Sequence, residues 1–110
     1  MEVELLVTED GRCPYREWIE GLDDPTTRKR VGARVNRLSA GNLGDASAVG
    51  GGVWELRMHF GPGYRVYIGR QGDTVVVLLC GGDKATQDAD IETAKAYWRD
   101  HEERRRAQSQ

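Results

Sequence analysis

The sequence predicts an α+β domain: a twisted antiparallel sheet in the order β-α-α-β-β-β-α, with an N-terminal helical hairpin packed on it. Three observations predict it. From Val53 the residues alternate, with Trp54, Leu56, Met58 and Phe60 on one side and Glu55, Arg57 and His59 on the other, the period of a strand with one face on a core. Two apolar stripes of helical period precede that strand, Tyr15-Trp18-Ile19-Leu22 and Val31-Val35-Leu38, each long enough to cover one face of a sheet. A continuous apolar run, Thr74 to Cys80, follows it and reads as a strand covered on both faces.

Taken in order, Val3, Leu5 and Val7 alternate with Glu2, Glu4 and Leu6 as a short first strand. Pro14 suits the first turn of a helix, and Asp23-Asp24-Pro25 ends that helix and begins the next, with Asp24 as N-cap and Pro25 at N1. The second helix leaves Arg28, Lys29, Arg30, Arg34 and Arg37 mostly outside its buried stripe. The small, glycine-rich stretch 40–52, AGNLGDASAVGGG, is expected to be a loop. Gly61-Pro62-Gly63 breaks the chain between two strands, and with those three residues as the loop Phe60 pairs with Tyr64, His59 with Arg65, and Arg57 with Tyr67. Gly81-Gly82 closes the last strand. A final helix starts near Asp88 or Asp90 with Ile91, Ala94 and Trp98 inward, and the charged tail 101–110 is expected to fray.

A chain of 110 residues fits one domain with a single core. Its net charge of −2 argues against a general nucleic-acid binder, but the charge is unevenly spread. Residues 1–27 carry two basic and eight acidic side chains, whereas residues 28–72 carry eight basic and two acidic, which points to a local anion site. Cys13 and Cys80 stand in no metal-ligand spacing, and there is neither a signal-like N-terminus nor an apolar run long enough to span a membrane. A reduced, cytoplasmic protein with no membrane partner is the expectation. The hairpin pairing gathers Glu55, Arg57, His59, Arg65 and Tyr67 on one face, a charged patch suited to binding or cutting something anionic. On residue type alone, Arg57 and Arg65 would be solvated or paired with an acid such as Glu55.

The stretches GNLGD (41–45), VWELRMHFGPGYRVYIG (53–69) and LLCGGDKATQDADIETA (78–94) carry a resemblance. Together they look like the RelE/ParE superfamily of toxins from bacterial toxin–antitoxin modules, most of all the branch of addiction-module killer proteins. The resemblance runs from about Glu2 to Trp98 and implies the RelE/ParE-like fold. It implies a ribosome-dependent mRNA endoribonuclease that needs no metal or other cofactor, in which the RNA 2′-hydroxyl attacks the neighbouring phosphate. It also implies a cognate antitoxin carrying a helix-turn-helix DNA-binding domain, with the ribosome and mRNA as further partners. Such chemistry needs a base, a cation for the developing charge and an acid for the leaving oxygen. The arginine of GYRVY falls on Arg65 as the phosphate-stabilising cation, the basic position after the last strand on Lys84, and that of the preceding strand on Arg57. The tyrosine that RelE carries near the start of its last helix has no counterpart in DADIE, residues 88–92, so base and acid stay open among His59, Glu55 and Tyr67. Arg34 and Arg37, with Tyr67, are the expected RNA contacts. The rival reading is a non-enzymatic binder, either a ParE-like gyrase inhibitor or a degenerate member that only binds antitoxin.

Overall fold

Pro14 and Pro25 open two short helices, and four apolar stretches pair around them as a five-stranded sheet with one small-residue strand at its edge. The computed structural model describes residues 1–109. The elements are β1 (Glu2–Leu5), α1 (Pro14–Glu20), α2 (Pro25–Asn36), a 3-10 turn (Arg37–Ala40), β2 (Ala46–Gly50), β3 (Val53–Arg57), β4 (Arg65–Gln71), β5 (Val75–Gly82), a second 3-10 turn (Lys84–Thr86) and α3 (Gln87–Gln108). The strand order is β1-β5-β4-β3-β2.

The helical hairpin forms as the sequence dictates. Asp24 caps α2, its carboxylate accepting from the Thr26 amide at 3.1 Å and the Thr27 hydroxyl at 3.1 Å, ahead of Pro25. Val31, Val35 and Leu38 are buried with Tyr15 against Leu56, Met58, Val66, Ile68, Val76 and Leu78, so α1 and α2 cover one face of the sheet. On the other face, Ala94 and Trp98 of α3 bury Val53, Tyr67, Val77, Leu79 and Cys80. The interior strand β5 is therefore covered on both sides, which is why its sequence is continuously apolar. The register shifts between Tyr67, opposite Cys80, and Ile68, opposite Leu78. This bulge leaves Leu79 unopposed and lets two consecutive residues, Leu79 and Cys80, face α3. Two glycines permit the close approach: Trp18 of α1 lies on Gly81 and Trp98 of α3 on Gly69, where any side chain would overlap the indoles.

Four expectations are corrected. The sheet is mixed rather than antiparallel, because β1 runs parallel to β5, Glu2 opposite Val75 through Leu5 opposite Leu78; alternation reports which face a residue takes, not strand direction. Residues 46–50, expected within a loop, form β2, paired antiparallel with β3 from Ala46 opposite Leu56 to Gly50 opposite Val53. The β3–β4 register places Arg57 opposite Arg65 and Glu55 opposite Tyr67, two residues away from the expected pairing. Gly61 and Gly63 both take positive φ, +57° and +77°, so the connection spans Met58 to Tyr64, and the Phe60 ring packs against Tyr64 within the turn, tilted 58° with centroids 5.6 Å apart, instead of pairing in the ladder. His59 accordingly sits in that turn and not across from Arg65. A slip of two residues preserves which face each side chain takes, so the grouping of Glu55, Arg57, Arg65 and Tyr67 survives.

The expected fraying is the fourth. α3 continues as helix to Gln108 because its last turns are tied to the body. His101 stacks on Trp98 at 5.3 Å and its Nε2 lies 3.0 Å from the Gln71 side-chain amide, while Arg104 pairs with Asp100 and donates to the Val7 carbonyl at 3.2 Å. Gln110 lies outside the described residues. No helix among the described residues is long and apolar enough to cross a membrane.

Candidate functional site

The residues singled out in the sequence converge at one end of the β3–β4 pair. Arg57 and Arg65 face each other across the ladder. The loop after β5 is fixed by Asp83, whose carboxylate accepts from the Ala85 and Thr86 amides at 2.9 and 3.2 Å, and this turn presents Lys84 beside the hairpin. The Lys84 amide lies 3.4 Å from the Pro62 carbonyl. Gly63 is where hairpin and loop touch, since a Cβ there would stand 3.2 Å from Arg65 Nη1 and 3.3 Å from Lys84 Cβ. Arg57, His59, Arg65 and Lys84 thereby line one cleft of about 320 Å³.

The floor of the site is acidic. Glu55 is 1% exposed, which is rare for a carboxylate without partners. Its Oε1 lies 3.6 Å from both Arg57 Nη1 and Arg65 Nε, and its Oε2 accepts from Gln87 Nε2 at 2.9 Å and the Tyr67 hydroxyl at 3.3 Å. Asp45 supplies a second carboxylate. Its Oδ1 accepts from Arg57 Nη2 at 3.0 Å and Nε at 3.3 Å, and its Oδ2 is 2.5 Å from His59 Nε2. The Arg57 bonds and then the His59 bond hold the Asp45 carboxyl below the ordinary carboxylate range, and the same contact raises the Arg57 guanidinium. The charged patch is thus paired within itself: the guanidinium nitrogens of Arg57 face Asp45 and Glu55 while its side chain stays 36% exposed, and Arg65 leans on Glu55 while donating to the Gly63 carbonyl at 2.8 Å. Lys84 is exposed and makes no ion pair among the described residues.

Of the three expected RNA contacts, Arg34 and Arg37 line one cleft and Tyr67 stands apart from them. Tyr67 is 0% exposed, packed under α3, and burial together with the Glu55 charge pushes its phenol well above the ordinary value. Its hydroxyl is directed at Glu55, which it braces from within the fold. Arg34 is largely buried, donating through Nη2 to the Leu43 carbonyl beside Gly44, which pins the chain before β2. Burial lowers its guanidinium from the ordinary value. Arg37 is exposed and lines a second cleft of about 470 Å³ together with Arg30 and Arg34. The two clefts share the wall made by Arg57, Met58, His59 and Phe60, and the Arg30 guanidinium lies 3.8 Å over the Phe60 ring.

Two site residues were not singled out in the sequence. Asp45 arrives only because β2 pairs with β3, the Arg57 amide donating to the Asp45 carbonyl at 2.9 Å. Gln87 arrives because α3 starts earlier than its acidic residues suggest. The one available signal for Asp45 was an acid in a stretch of otherwise uncharged small residues. Cys80, opposite Tyr67 on β5, is buried, its thiol pushed up to about 12 by that burial.

Residues 17–99 match the family described as Phage derived protein Gp49-like. An uncharacterized protein of Haemophilus influenzae is 46% identical over 81 residues, which covers 74% of this chain and 82% of that relative. The matched span runs from the first helix through Trp98 and includes every residue of the cleft. The chain belongs to the Gp49-like family, a toxin-type family related to the addiction-module killer proteins.

Proposed function

We propose that the protein is the toxin of a toxin–antitoxin module and acts as a metal-independent, ribosome-dependent mRNA endoribonuclease that halts translation in the cytoplasm. One observation carries this reading: four basic side chains, Arg57, His59 and Arg65 from one hairpin and Lys84 from the turn after β5, line a single cleft. Arg65 and Lys84 line the cleft where an RNA phosphate would sit, and they are the groups left by Asp45 to meet the charge that develops on phosphorus. The exposed Arg30 and Arg37 in the adjoining cleft suit neighbouring phosphates of the same strand. The partners of this reading are the ribosome, mRNA and a cognate antitoxin with a helix-turn-helix domain.

Replacing Arg65 with Ala is expected to relieve growth arrest and to lower cleavage roughly 10²–10³-fold, the scale for losing one stabiliser of developing charge. The measurement is mapping of mRNA 5′ ends after induction, with far-UV circular dichroism to verify folding. A folded variant that cuts translating mRNA at the parent rate removes Arg65 from the chemistry. The engagement of both arginines by Glu55 and Asp45 favours a second reading, in which the face docks a protein and the toxin is ParE-like. Gyrase-linked DNA breaks without codon-spaced RNA cuts would select it.

A further inference from the structure

Asp45 gives the site a proton-handling arrangement that the basic residues alone lack. We infer that Asp45 is a positioning residue that holds His59 as the general base, with Arg57 serving to fix Asp45 rather than to bind phosphate. The inference rests on the nuclease reading above. It starts from how the Asp45 carboxylate is divided: one oxygen is taken by two nitrogens of Arg57, and the other lies 2.5 Å from His59 Nε2. The Arg57 amide also donates to the Asp45 carbonyl at 2.9 Å, so backbone and side chain fix the carboxylate together.

A carboxylate accepts and does not donate, so Nε2 of a neutral His59 carries the proton. The lone pair is then on Nδ1. A ring held through one nitrogen and basic at the other is the arrangement that orients imidazole for proton abstraction. His59 is 76% exposed on the rim of the cleft that holds Arg65 and Lys84. It has no core packing to fix its rotamer, so the Asp45 bond is what orients it.

The alternatives are disfavoured by burial and by occupancy. Both Glu55 oxygens face donors within the fold, and Glu55 is 1% exposed. Tyr67 is fully buried. In the reaction, the RNA 2′-hydroxyl proton passes to His59 Nδ1 and the 2′-oxygen–phosphorus bond forms as the phosphorus–5′-oxygen bond breaks. The departing 5′-oxygen takes a proton from water, leaving a 2′,3′-cyclic phosphate and a 5′-hydroxyl. Arg65 and Lys84 face the extra charge on phosphorus.

The test uses the full chain with ribosomes translating a defined mRNA. His59→Gln is expected to lower kcat about 10²-fold or more, the range for losing a general base, and Asp45→Asn about 10-fold or more with KM little changed. In the His59→Gln background, Asp45→Asn should cost nothing further, since the two act as one unit. Independently of activity, ¹⁵N chemical shifts of His59 at mildly alkaline pH should report the Nε2–H form in the parent and a mixed population in Asp45→Asn. If Arg65→Ala abolishes cutting while His59→Gln and Asp45→Asn cut at the parent rate, the dyad is wrong and the nuclease reading stands. If the two losses multiply in the double variant, or the parent shows the Nδ1–H form, the dyad is also wrong. No cutting by the parent protein overturns both.

Discussion

Glu55 is the residue on which most of the site leans. It sits where the alternation of β3 places a polar side chain, but α3 crosses that face and buries it, so its oxygens depend on Arg57, Arg65, Tyr67 and Gln87 for partners. Removing the acid leaves Arg65, itself 13% exposed at the side chain, without its counter-charge. Glu55→Ala is therefore expected to cost about 3 kcal/mol, the lower end for breaking a buried pair. Tyr67→Phe, which deletes one neutral donor, should cost about 1 kcal/mol; urea unfolding monitored by tryptophan fluorescence measures both. The basic members of the site were legible as residues: GYRVY and GGDK mark Arg65 and Lys84 without reference to coordinates. Their partners were not. Which acid neutralises which arginine depends on a two-residue choice of register and on a strand, β2, that brings Asp45 alongside Arg57.

Among the elements, legibility follows the strength of the apolar pattern. α1, α2, β3, β4 and β5 were readable because each buries a stripe or face whose period matches its geometry. β2 was not, since Ala46-Ser47-Ala48-Val49-Gly50 holds a single β-branched residue and gains its place by pairing rather than by packing. The end of α3 was hidden for a different reason. Its sequence looks like a solvated tail, and only the fold supplies Trp98, Gln71 and the Val7 carbonyl to its polar side chains. His101 gives that contact a pH signature. Burial, with the charges of Arg104 and Arg105, lowers its pKa from the ordinary 6.5, so on acidification the unfolded chain takes up this proton first. Its contribution to stability is complete above about pH 6.5 and is lost as pH falls toward the folded value. The slope of Tm between pH 7.5 and 5 should flatten in His101→Gln relative to the parent, as thermal melts across that range would read.

At the scale of the whole molecule, the class α+β and the two-sided covering of β5 follow from the sequence, while the direction of β1 does not. Alternation in Val3 and Leu5 is satisfied equally by parallel and antiparallel neighbours, and the choice is made by where α1 and α2 leave the chain. That parallel pairing has a temporal consequence. The first strand made by the ribosome finds its neighbour only in the last strand to emerge, with Glu2 waiting for Val75, and contacts so distant in sequence form late. Until then the nascent chain has no completed sheet, and Lys84, the last basic residue of the cleft, is still behind β5. Stalled chains ending before Val75 should be cleaved throughout by protease, whereas chains exposing all of α3 should resist it. A chain built in this order has no finished cleft until β5 and the turn that carries Lys84 have both left the ribosome.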